Sequence, residues 1–185
     1  MKKKLILLAL VTLSLVTFAA CGKKKEEAPT LKEDFIELVQ VEIPEAEKNE
    51  IAIMTTYNNY FKNGSEIDTG VLLSDLENNI IPKYEEFLKQ VQTIETDFDE
   101  VKAVKDQYYT AMDYQLKALN KVKDALKEEE ADYQAEAGEL LKKAEEEYDK
   151  YLAAVNDIAM QNNITIKNSS DSEETSGEEA SSEEK

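Results

Sequence analysis

From Leu72 to Ile94 the apolar residues fall three or four positions apart: Leu72, Leu76, Ile80, Tyr84, Phe87 or Leu88, Val91 and Ile94. That spacing lines up one side of a helix, and no stretch of the chain alternates with the two-residue period of a strand. Two longer stretches repeat the pattern. Val101, Val104, Tyr108, Met112, Leu119, Val122 and Leu126 define one face, and Ala137, Leu141, Ala144, Tyr148, Tyr151, Val155 and Ile158 define the next. Each stretch, roughly 30 residues, makes a helix about 45 Å long. One helix across both would be improbably long for a globular domain, so a turn is expected near Glu128 to Asp132. The chain is therefore expected to be all-α. The architecture is an antiparallel bundle of three or four helices dominated by a long C-terminal hairpin.

Punctuation upstream divides the rest. Thr30-Leu31-Lys32-Glu33 has the capping-box pattern, and Leu31, Phe35, Leu38 and Val39 suggest a short opening helix over 31–39. Pro44 suits a first helical position, and Glu45 and Glu47 suit the positive end of the helix dipole. A helix over about 45–62 follows, with Ile53, Tyr57, Tyr60 and Phe61 inward and Asn63-Gly64 closing it. Asp68 or Ser74 caps the next helix. Pro82 falls inside it, but the stripe keeps phase, which predicts a kink rather than a stop. Thr96 with Asp99 opens the helix after that. Glu85/Lys89, Asp113/Lys117, Glu139/Lys143 and Glu146/Lys150 are acid-before-lysine pairs four apart on the outer faces. The only internal repeat visible is the helix period itself.

Residue types that are missing exclude whole classes of chemistry. The chain has 22 Lys, 40 Asp and Glu, one Cys, and no Arg, His or Trp. Without imidazole or a second thiol there is no zinc set, no serine or cysteine triad, and no Glu-x-x-His di-iron motif. Nucleic acid would be repelled by so acidic a chain. No phosphate loop, dinucleotide fingerprint or nucleophile elbow is present.

The first 22 residues read MKKKLILLALVTLSLVTFAACG. Lys2, Lys3 and Lys4 precede an apolar run from Leu5 to Phe18, then Ala19-Ala20 and Cys21. The run is short of the ~20 residues that span a bilayer. It has the anatomy of a cleaved signal. The small residues before a lone cysteine resemble the lipobox of bacterial lipoproteins, although Phe18 stands where that pattern usually has Leu. The resemblance covers these residues alone; the helical part is similar to small lipoproteins only in composition. It implies cleavage before Cys21, lipid on its sulfur, and residence on the outer face of the cell membrane. Two or more acyl chains hold such an anchor stably.

This divides the chain into a signal peptide (1–20), a lipidated cysteine and tether (21–30), a helical domain (31–166) and a Ser/Glu-rich tail (167–185). Lys23, Lys24 and Lys25 in the tether could each add ~1 kcal/mol of attraction to anionic lipid. The tail, with seven acids and six serines from Asn168 onward, cannot bury enough apolar surface to order itself. Without the signal the balance is 19 Lys against 40 acids, a charge of −21.

Carboxylates are the only reactive groups in quantity. Glu128–Glu130 with Asp132, and Glu145–Glu147 with Asp149, could offer oxygen ligands to Ca²⁺, but successive acids on a helix point apart and read better as solvated faces. No metal site and no cofactor are expected. Most of the nine tyrosines fall on apolar stripes; Tyr109 and Tyr114 fit the inward face less well and could form an exposed aromatic patch. The expected function is a non-enzymatic, membrane-anchored helical module that binds or spaces a protein or cell-envelope partner. The alternatives are an accessory or ligand-binding lipoprotein of a transport or cell-wall system and, less favoured, a carboxylate-based enzyme.

Overall fold

The computed structural model describes residues 29–62, 67–128 and 133–166. Among them there is no strand, and four helical rods form the expected bundle. The Thr30 hydroxyl accepts from the Glu33 N–H at 3.3 Å, and the Glu33 carboxylate accepts from the Thr30 N–H at 3.0 Å. This capping box starts the first rod. That rod comprises α1 (Leu31–Glu37), a π-helical turn (Leu38–Glu42) and α2 (Ile43–Asn59).

The two helices expected at 31–39 and 45–62 are thus one. Pro44 starts nothing; it lies inside the rod, just past the π turn. A proline in a helix lacks its N–H and crowds the carbonyl four residues back. Here the Ile43 N–H reaches five back, to the Leu38 carbonyl, and the wider turn takes up the disruption.

The second rod repeats the device. Asp68 caps it, its Oδ1 accepting from Gly70 N–H at 3.0 Å and Val71 N–H at 3.1 Å. Then come α3 (Thr69–Asp75), a π turn (Leu76–Ile80) and α4 (Ile81–Thr93). Ser74, the alternative cap, is inside α3. Cap, seven α residues, five π residues and Ile-Pro recur in the same order: Thr30 with Asp68, Leu38 with Leu76, Ile43-Pro44 with Ile81-Pro82. So the first two rods share an internal repeat beyond the helix period. Its reason is phase. Leu38 and Ile43 are both buried, as are Leu76 and Ile81. Residues five apart in an α-helix point about 140° away from each other, and the π turn brings them to one side.

The third rod is α5 (Asp99–Glu128) and the fourth is α6 (Tyr133–Gln161). At the end of α6, Asn163 takes a positive φ of 52°, and the Ile164 N–H closes on the Ala159 carbonyl at 2.8 Å. Cross-links show that the rods alternate in direction. Asp34 near the start of the first accepts from the Asp97 N–H at 3.0 Å, past the end of the second. The Tyr60 hydroxyl donates to Asp75 at 3.0 Å at the opposite pole. The buried Lys105 ammonium donates to the Ile94 carbonyl at 2.7 Å. Lys121 pairs with Glu136 at 2.6 Å, joining the third rod to the fourth.

Packing is uneven. The third rod contacts all the others and packs most extensively on the fourth, while the backbones of the first and fourth scarcely approach each other. Every position named in the Leu72–Ile94 stripe is buried, and most of the α5 face is too. The α6 face is shallower: Ala137, Ala144, Tyr151 and Val155 are buried, whereas Leu141, Tyr148 and Ile158 are half-buried. Of the four acid–lysine pairs expected, only Asp113–Lys117 closes, at 2.6 Å. Lys150 turns to Glu147 at 2.7 Å instead, and Lys142 to Glu146 at 3.8 Å. No described helix is long and apolar enough to cross a membrane.

Candidate functional site

Most polar residues of the bundle lie on its outside. Glu47 and Glu50 do not. They lie one turn apart on α2, in register with Ile43, Ala46, Ile53, Met54 and Tyr57, all buried. Helical phase therefore carries both carboxylates inward. Glu50 is 8% exposed, and Glu47 is partly open. Neither forms an ion pair with a described lysine. Burial pushes Glu47 up to about 7, opposed by the neighbouring Tyr108 hydroxyl. Burial, and then the charge of Glu47, push Glu50 up to about 7 as well.

Tyrosines from the other three rods surround the pair. Tyr84 comes from α4, Tyr108 from α5, and Tyr148 and Tyr151 from α6. The Tyr108 ring lies 5.2 Å from that of Tyr151 and 6.4 Å from that of Tyr148, and Tyr148 and Tyr151 are 5.4 Å apart, all tilted. Such tilted contacts suit the ring quadrupoles. Tyr84 is tied off, donating to Gln115 Oε1 at 2.9 Å beside the Met112 sulfur. Burial and then the carboxylates raise the tyrosine hydroxyls: Tyr148 is pushed up to about 12, and Tyr108 and Tyr151 go well above their ordinary range. All three stay protonated at any ordinary pH.

Tyr108, unlike Tyr84, is not tied off. Its side chain is 1% exposed, and its hydroxyl has no hydrogen-bond partner. The oxygen lies close enough to Glu47 to favour that carboxylate's charge, but short of a formed hydrogen bond. A buried hydroxyl left in this state costs about 1–3 kcal/mol. Glu47 and Tyr148 are the half-buried members of the cluster and keep partial access to solvent.

The residues expected from sequence fall elsewhere. Cys21, the tether up to residue 28, the expected Asn63-Gly64 helix end and the acidic tail lie outside the described residues. Tyr109 and Tyr114 are half-buried on α5. Tyr109 packs against the edge of the core. The Tyr114 ring is covered by Lys117 Nζ at 4.8 Å and Lys143 Nζ at 6.0 Å from its centre. That surface therefore presents ammonium groups as much as aromatic rings. In the second acidic run, Glu146 and Glu147 pair with lysines, and Glu147 also accepts from Gln107. The first run lies mostly outside the described residues. No group of three or more Asp, Glu, His or Cys among the described residues could hold a metal ion.

Glu47 was legible as a helix-dipole residue; its burial was not seen. The available signal was two acids on the inward phase of α2. Comparison with known protein families, characterised proteins and solved structures returns no significant match.

Proposed function

We propose that the chain is a lipid-anchored, non-enzymatic helical module on the outer face of a cell membrane, where it binds or spaces a partner. One observation carries the reading: three lysines, an apolar run too short to span, two alanines and the chain's single cysteine at position 21. The fold is compatible with it. Helix begins at the Thr30 cap, so eight residues separate Cys21 from the bundle. Fully extended, such a tether reaches about 28 Å. Without the signal the chain carries a charge of −21, which favours neutral or cationic partners.

The acid and tyrosine cluster favours a second form of this reading, an accessory lipoprotein that takes up a ligand for a transport or wall-assembly system. Metabolic labelling with a palmitate analogue tests the anchor. Label is expected on the parent and not on Cys21→Ala, which should leave the membrane fraction. An unlabelled parent, or a Cys21→Ala chain that stays on the membrane, overturns the anchor.

A further inference from the structure

We propose that Glu47, Glu50 and Tyr108 form a binding site for a primary ammonium group, such as the end of an alkylamine. The observations converge from three directions. Two carboxylates one turn apart face inward without a lysine partner. The Tyr108 hydroxyl, 1% exposed and unpartnered, points at the same place from another rod. Glu47 and Tyr148 are only half-buried, so the cluster meets solvent at its edge.

The ligand class follows from the donor count. An alkylammonium carries three N–H donors and no acceptor. Two carboxylates and a phenolic oxygen supply three acceptors. Above pH 7, where both carboxyls are ionised, charge-assisted bonds of this kind are about twice as strong as neutral ones. The rings of Tyr148 and Tyr151 add an aromatic wall that suits an organic cation and its alkyl stem. A divalent metal is the poorer fit, because two carboxylates and a neutral phenol leave most of a six- to eight-oxygen shell unfilled. The negative field of the whole chain raises the local concentration of any cation.

The proposal gives the binding-module reading a ligand class and rests on that reading, but not on the lipid. The full chain, purified in an amine-free buffer, is titrated by calorimetry with n-butylammonium chloride at fixed ionic strength. Saturable binding is expected. It should disappear in Glu47→Gln/Glu50→Gln and weaken about three- to tenfold in Tyr108→Phe, which keeps the ring. Circular dichroism checks that each variant folds; the double Gln variant replaces buried carboxylates by neutral amides and should fold at least as well as the parent. Tetramethylammonium, which has no N–H, should bind more weakly. The proposal fails if butylammonium does not bind, if the double variant binds it as well as the parent, or if tetramethylammonium binds equally. Tighter binding of CaCl₂ would overturn it in favour of a metal site. Failure here leaves palmitate labelling untouched, so the two readings fail separately.

Discussion

Two carboxyl groups set how this fold responds to pH. Glu47 and Glu50 sit near 7 in the folded chain, against 4.5 for the ordinary group, chiefly because burial disfavours their charge. Between those values the folded chain holds more protons than the unfolded one. Stability must therefore fall as pH rises from about 4.5 through 7. The two groups sit side by side and titrate as a pair. At roughly 1.4 kcal/mol per unit of displacement, discounted for the solvent that reaches Glu47, the loss by pH 8 is on the order of 3 kcal/mol. Urea denaturation at pH 5.5 and pH 8, in a buffer without amines, should show it. Glu50→Gln should flatten the profile and melt higher than the parent at pH 8. A variant equally destabilised at both pH values would show that the amide loses more in packing than the carboxyl loses in charge.

At the level of elements, the π turns explain both what could be read in advance and what could not. The stripes of α4 and α5 were legible because their steps are three and four, the period of an ordinary helix. The continuity of the first rod was hidden. The buried pair Leu38 and Ile43 is five apart, so the period seems to stop there, and Pro44 then resembles a fresh start. Glu47 was masked for the same reason. Placed in the first turn of a new helix, it reads as a dipole residue; placed mid-rod beside Ala46, it is an inward carboxyl. The Tyr108 hydroxyl could not be read at all, since its missing partner depends on spacing between rods. The π turn also makes a test. It holds one residue more than an α turn, so deleting the exposed Asn78 should leave the flanking apolar residues in phase. Pro82 would then sit in a plain α-helix at a cost of about 3 kcal/mol. Adding Pro82→Ala should recover most of that loss. Guanidinium midpoints for the two variants would settle it, and an unrecovered double variant would mean that the turn is needed for more than the proline.

At the scale of the whole molecule, charge works against compaction. Residues 31–166 carry 31 acids against 14 Lys, a formal −17 on one bundle, and salt screens it over about 10 Å at 0.1 M. Raising NaCl from about 10 to 150 mM should raise Tm by roughly 2–4 °C, the effect of about 1 kcal/mol in a domain of this size. An unchanged Tm would show that the lysines along the rods already balance the acids locally.

Four antiparallel rods are an even number, so the backbone comes home: Thr30 and Ile166 lie at one pole, while Asn59, Thr69, Glu128 and Tyr133 gather at the other. If fat holds the front of this chain, Ile166 lies on the same floor, and the far ends of α2 and α5 stand about 45 Å overhead as its summit. A fluorescent label on Glu128 would then report height above the lipid, and one on Ile166 would report the ground.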